Sequence, residues 1–367
     1  MQHKVTLIPG DGIGPEIIEA TKRVLDATGV KFEWDTVIVG QAAQDKFGTP
    51  LPDNVLESIK KNKVALKGPV TTPMGTGFRS VNVALRQSLD LYACLRPCKT
   101  YPGAPTPFKN VDIVIVRENT EDLYSGIEFA RGTKDADSLA KLILKSTKAK
   151  IKEDSGFSIK VISETASRRI VKFAFEYARA NNRKKVTAGH KANILKFSDG
   201  IFLDAAREVA KKYPDIEFED VVIDALCMRL VRTPGQYDVI VLPNLYGDIV
   251  SDLCAGLIGG LGLAPGANLG DNMAVFEPTH GSAPKYAGRN KVNPMAMMLS
   301  ATMMLRHLNE TKSANNLEKA IAAIIVEGKS VTYDLKTDRN QPAATTSEVT
   351  DAVIAKLKEV SRATESN

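Results

Sequence analysis

The run Lys4-Val-Thr-Leu-Ile8-Pro-Gly10-Asp-Gly12-Ile-Gly14-Pro15-Glu16 passes from an apolar, β-prone stretch through a glycine-rich turn into residues of helical periodicity. Residues 4–9 read as a strand and 16–27 as a helix. Pro15 suits the first helical turn, where its missing N–H would have no intrahelical partner. The unit recurs along the chain. Residues 32–39 and 64–66 read as strands. Residues 111–116 are nearly all apolar, the mark of a strand covered on both faces, and 218–223 and 237–242 share that character. Residues 165–180 and 194–211 carry apolar side chains at helical spacing. After Gly288 the pattern is mostly helical, over 295–308, 317–326 and 347–360. Short apolar strands alternating with amphipathic helices specify an α/β architecture. Residues 125–163 break the rhythm: they are charged and lysine-rich, and read as an arm leaving the main body.

The bulk numbers bound the function. With 367 residues, 43% hydrophobic and 25% charged, the chain has a globular composition. No apolar run approaches the roughly 20 residues that span a bilayer; the longest candidate, 253–265, is interrupted by glycines. No export leader is visible, so the expected location is cytoplasmic. Cys94, Cys98, Cys227 and Cys254 follow no zinc spacing and read as free thiols of a reducing compartment. A net charge of +6 without a nucleic-acid signature argues against nucleic-acid binding. It suits a small anionic substrate if the arginines converge.

Five groups of residues carry candidate chemistry. Gly10, Gly12 and Gly14 are two apart, so the dinucleotide fingerprint G-x-G-x-x-G is absent; the plain alternative is a tight strand-to-helix turn. Arg86, Arg96 and Arg117 form a series in which the last two abut strand-like runs. A guanidinium at a strand end clamps a carboxylate in two places, and three would serve a tricarboxylate. Each alone reads as an ordinary ion-pair residue. Asp224 ends a strand-like run, and Asp248 and Asp252, four apart, share a face if helical. A hard divalent cation would relieve their repulsion; a helix start would also favour acidic residues. Lys191 and Tyr124 have the chemistry of a proton acceptor and a proton donor, though alone each is an unremarkable polar residue. The polar loop from Glu277 to Gly288 suits a nucleotide or a plain surface turn.

The motifs GDGIGPE, VRENTEDLY, YGDIVSD and HGSAPKYAG together resemble those of the β-decarboxylating dehydrogenases that act on isocitrate, homoisocitrate and isopropylmalate. The resemblance runs from Val5 to about Asp334. It implies an α/β fold other than a standard Rossmann domain: a discontinuous large domain of residues 1–91 and 259–367 on the cofactor side, a smaller domain of 92–124 and 164–258, and a dimer clasp at 125–163. It implies a homodimer with shared active sites, in which Lys191 and Asp224 serve the partner's site. Ser80-Val-Asn82-Val-Ala-Leu-Arg86 resembles the isocitrate enzymes, so the expected reaction is oxidative decarboxylation of isocitrate, as in the tricarboxylic acid cycle. Homoisocitrate, one methylene longer, is the alternative.

By the same resemblance Ser80, Asn82, Arg86, Arg96 and Arg117 bind substrate, and Tyr124 and Lys191 are catalytic. Asp224, Asp248 and Asp252 hold Mg²⁺ or Mn²⁺. Thr72, His280, Gly281, Ser282, Ala283, Lys285, Tyr286, Asn293 and Tyr333 meet the cofactor. The cationic Lys285 points to NADP, as in bacterial homodimeric enzymes. Thr337 stands where those enzymes carry an arginine, with Arg339 two residues on, and NAD is the alternative. A silent regulatory chain would be expected to have lost part of this set, which is complete here.

Overall fold

The computed structural model describes residues 2–73, 80–338 and 340–365. Twelve strands are found among them: β1 (Gln2–Ile8), β2 (Lys31–Thr36), β3 (Val64–Lys67), β4 (Ala93–Lys99), β5 (Asp112–Glu118), β6 (Glu128–Phe129), β7 (Phe157–Ser158), β8 (Lys185–His190), β9 (Glu217–Val222), β10 (Val239–Leu242), β11 (Pro265–Leu269) and β12 (Ala274–Pro278). Ten form one sheet in the order β2-β1-β3-β12-β11-β4-β5-β10-β8-β9. β1, β2, β3 and β12 run parallel, as do β5, β10, β8 and β9. Between these blocks lie the antiparallel pairings β12–β11, β11–β4 and β4–β5. The five strands on the β2 side come from residues before 92 or after 258, and the other five from between.

Helices cover the sheet as α/β packing requires. The helix Met295–His307 is buried nearly all round, with Met295, Met297, Met298, Met304 and Leu305 at 0% exposure. Such a helix lies between the sheet and an outer layer, and each buried Met or Leu there contributes roughly 1.5–3 kcal/mol. Its Ser300 and Thr302 hydroxyls donate to carbonyls one turn back, so their polarity costs little. Residues 125–163 hold the helix Lys134–Thr147 and a separate two-stranded ribbon, β6–β7. The four cysteines are free thiols. No helix among the described residues is long and apolar enough to cross a membrane.

The elements read from the sequence are present, with shifted ends. The expected helix over 194–211 begins only at Asp199. Asp224 does not end a strand: β9 stops at Val222 and Asp224 is the second residue of the helix Ile223–Arg232. Of the main sheet, β4, β8, β11 and β12 were given no range, though Arg96 of β4 was placed beside a strand-like run; Pro97, Pro265 and Gly266 have poor β propensity, and pairing on both sides makes β4 and β11 strands regardless.

Candidate active site

The parallel strands β5, β10, β8 and β9 end along one edge, where open α/β sheets place their sites. Arg117 lies near the end of β5, in register with Leu242 of β10. The chain leaves β10 through Pro243 into the helix Asn244–Leu257. Asn244 Oδ1 accepts from Arg117 Nε at 3.0 Å and Nη2 at 2.7 Å, and one turn on Asp248 pairs with Arg117 Nη1. The stem of Arg117 crosses this helix at Gly247, where an added Cβ would stand 2.5 Å from Arg117 Cγ. Arg96, from β4, donates to Ser251 Oγ at 2.5 Å and lies 3.4 Å from Asp248 and 3.7 Å from Asp252. Arg86 closes the helix Val81–Ser88, whose N-cap Ser80 accepts from the Val83 amide.

These residues surround one cavity of roughly 210 Å³, lined by Ser80, Asn82, Arg86, Arg96, Arg117, Tyr124, Asp248, Glu277, His280 and Gly281 among others. The charges there are unequal. Glu277, deep in β12, pairs with Lys67 of β3 and with Arg86 Nη2 at 2.9 Å, and accepts from Asn268 at 2.7 Å. Burial pushes its carboxyl up, but Lys67 and Arg86 outweigh burial and hold it far below the ordinary value. Burial above all, and then Arg96 and Arg86, pull Arg117 down. Asp248 is pushed up by burial and more strongly down by Arg117 and Arg96, so it stays ionised. Burial and the hydrogen bond to Asp248 raise Tyr124, which keeps its proton. Among the described residues, three buried polar atoms on the cavity wall find no hydrogen-bond partner: Asn82 Oδ1, Arg86 Nε and His280 Nε2.

His280 and Gly281 also line an adjoining cleft of roughly 370 Å³ with Ile13, Ala283, Tyr286, Asn293, Tyr333 and Asp334. The glycine turn shapes this cleft. The amide of Ile13 donates to Ser282 O at 2.9 Å, the amide of Asp11 to Pro69 O, and Asp11 accepts from Thr71 N. Ser282 bonds Thr71 at 2.6 Å, and Thr72 reaches Ser80 at 3.3 Å. Thr72, Ser282 and Lys285 therefore stand behind or beside the cleft. Arg339 lies outside the described residues.

Lys191 and Asp224 do not join the cavity. Lys191 follows β8, and its Nζ sits 2.5 Å from Asp224 Oδ1, which that hydrogen bond holds below its usual range. Asp252 points to the rim beside Asp248; burial and Asp248 raise its carboxyl despite Arg96. Among the described residues no three metal-ligating side chains come together, so the three expected ligands are divided within one chain. Sequence reading missed Glu277, Lys67, Asn244 and Asp334. A lone charge in a strand otherwise apolar, as in VALK and AVFEP, was the available signal for the first two.

The model of the isocitrate/isopropylmalate dehydrogenase family matches residues 4–353. The chain is 50% identical, over 97% of its length and 92% of the relative's, to a regulatory chain of the mitochondrial NAD isocitrate dehydrogenase of Dictyostelium discoideum. It is 48% identical, over 90% of its length and 85% of the relative's, to the alpha chain of the mitochondrial NAD isocitrate dehydrogenase of Homo sapiens. The crystal structure of isocitrate dehydrogenase from Methylococcus capsulatus superposes with a TM-score of 0.89 at 49% identity, covering 97% of this chain and 99% of that one.

These relatives overturn the expectation of NADP, since both curated proteins are of the NAD type. The geometry supplies a physical reason. Lys285 is exposed, with Nζ 5.4 Å from the Tyr286 ring centre, and does not line the cleft. The carboxylate of Asp334 does, anchored by Asn293 at 3.0 Å and Thr332 at 2.5 Å. A carboxylate accepts from ribose hydroxyls and repels a 2′-phosphate. Family match, fold and close relatives agree across nearly the whole length: this chain belongs to the isocitrate/isopropylmalate dehydrogenase family.

Proposed function

We propose that this chain oxidises isocitrate to 2-oxoglutarate and CO₂ with NAD as hydride acceptor and Mg²⁺ or Mn²⁺ as the required ion, working as a homodimer with shared sites. The observation that carries the reading is the cavity itself: three converging guanidiniums, and polar atoms of Asn82, Arg86 and His280 left without a partner among the described residues, in a space that suits a tricarboxylate. Ser80 and Asn82 offer hydrogen bonds where an alkyl-bearing substrate would want apolar contact. The complete set of arginines, aspartates, Tyr124 and Lys191 favours a catalytic chain over a silent one.

Asp248 and Asp252 fit half of a divalent-ion site: two oxygen donors one helical turn apart, with Asp252 raised chiefly by burial and further by Asp248, a repulsion that a cation would relieve. Asp224 and Lys191 fit the other half, brought by a second copy. Apolar side chains exposed near this pair favour such a contact: Ile194 and Phe197 follow Lys191, and Met228 and Val231 share Asp224's helix. In this reading residues 125–163 are the clasp between copies, and residues 1–91 with 259–367 carry the cofactor side.

An ion held by the aspartates would supply Lewis acidity, and a dinucleotide held in the cleft of Ala283, Tyr286, Asn293 and Asp334 would supply the hydride acceptor. Arg86, Arg96 and Arg117 hold the substrate carboxylates and fix C2 toward the cleft. The partner subunit's Lys191, as the free amine, accepts the hydroxyl proton. After CO₂ leaves, Tyr124, kept protonated by burial and Asp248, gives its proton to C3. Initial rates with isocitrate and Mg²⁺ test the reading: turnover with NAD far above NADP, lost with a chelator and restored by Mg²⁺ or Mn²⁺. No turnover with either dinucleotide would sink it. Sedimentation tests the dimer.

A further inference from the structure

One ion cluster outside the cavity joins the segments that the proposed reaction must align. Lys160, on the stretch leaving β7, reaches inward so that its side chain is 15% exposed. Its Nζ lies 2.7 Å from Asp199 Oδ1, an ion pair outside hydrogen-bond angles, 3.8 Å from Asp122 Oδ1, and 4.2 Å from the centre of the Tyr246 ring. Both carboxylates are fully buried. A buried carboxylate is costly unless it is paired and hydrogen-bonded, so each is also fastened to backbone. Asp199 Oδ2 accepts from the amide of Lys191 at 2.7 Å. Asp122 Oδ2 accepts from the amide of Leu245 at 2.9 Å, at the start of the helix carrying Asp248 and Asp252, and Oδ1 from Leu123, next to Tyr124. The Lys160 segment is stitched to the same turn: Asp122 N donates to Val161 O at 2.9 Å, and Ser163 N to Glu121 at 2.8 Å.

We propose that Lys160 is a positioning residue which, through Asp199 and Asp122, fixes the Lys191 segment against the Tyr124 turn and the start of the Asp248 helix. The inference rests on the proposed reaction and its shared sites. In that arrangement Tyr124 serves its own chain's site and Lys191 the partner's, so one cluster sets a proton donor in one site and a proton acceptor in the other. No atom of Lys160 touches substrate; its effect is geometric.

Three variants of the full-length protein test this: Lys160→Met, the charge-balanced Lys160→Met/Asp199→Asn, and Lys160→Arg. Misplacing reacting groups by a fraction of an ångström lowers kcat while leaving uniform binding intact, so kcat should fall about tenfold or more with KM for isocitrate within about twofold. Lys160→Arg, which keeps the cation, should recover most of the loss. Hydrogen exchange should accelerate at residues 188–196 and 243–247 and not across the rest of the sheet. If Lys160→Met does not fold, the charge-balanced variant decides. An unchanged kcat in that variant, or exchange that rises uniformly or not at all in the two segments, overturns the proposal. Should the unmodified protein fail to turn over isocitrate, the proposed reaction falls, and the exchange pattern, which needs no turnover, still decides whether Lys160 holds the two segments together.

Discussion

Tyr124 Oη donates a 2.5 Å hydrogen bond to Asp248 Oδ2, while the other oxygen of the same carboxylate pairs with Arg117. One side chain thus orients both the phenol and the cavity-lining guanidinium, whose carbon lies 4.8 Å from the Tyr124 ring centre. Loss of the phenol should remove a proton donor without emptying the cavity. Tyr124→Phe is expected to lower kcat by about 10²- to 10⁴-fold, with a small change in KM. Rapid mixing separates the steps: Tyr124→Phe should still form NADH in the first turnover, and Lys191→Met should not. Equal loss of first-turnover NADH in both would remove the division of roles.

Glu277 ties β12 to β3 and to the substrate cavity. Its depressed carboxyl means that ionised Glu277 stabilises the fold above the ordinary glutamate value of 4.5, and that this contribution drains away as pH falls from there toward the depressed value. Glu277→Gln leaves Lys67 and Arg86 buried without their anion, a loss of roughly 3–5 kcal/mol. Thermal unfolding followed downward from about pH 5 to 3 should show a steeper fall in the parent than in the variant, whose curve lies lower from the start.

Gly12 adopts φ +59°, and a Cβ there would stand 2.1 Å from the carbonyl oxygen of Ser282. Both the backbone conformation and the collision oppose a side chain. Gly12→Ala should cost more than about 1 kcal/mol of stability and displace the 280–283 loop. The affinity for NAD should drop several-fold while isocitrate binding changes less; isothermal titration of each ligand reads the two effects separately.

Asp334 is the anion that lines the cleft proposed for the cofactor. Asp334→Asn keeps its size and its bond from Thr332 but removes the charge. KM for NAD should rise about tenfold and discrimination against NADP should weaken. Unchanged ratios of kcat/KM for the two dinucleotides would show that the charge is not read.

Much of this site was visible in the chain because its pieces are local. Arg117 closes an apolar strand, and Asp248 and Asp252 sit one turn apart just after another. What was hidden is what the sheet order creates. Lys67 and Glu277 are 210 positions apart and meet only because β3 and β12 are neighbours. Asp224 was placed at a strand end by a one-residue error, since the strand read to 223 stops at Val222 and the helix begins at Ile223. Lys285 looked decisive as a charge, but sequence does not say which way a side chain on a short turn faces.

The unbroken sheet has a mechanical consequence. Leu95, Pro97 and Lys99 of β4 alternate with Arg96, so they face away from the substrate cavity. There they line a second crevice of about 380 Å³ with Ala267, Leu269 and Phe276. The β4–β11 ladder between the two hollows cannot part without losing its hydrogen bonds. The seam is therefore a continuous leaf between the front and back hollows, and any closing of the front rims would bend it rather than swing on a free linker, with Lys99 and Glu318, 3.3 Å apart, spanning the crevice behind.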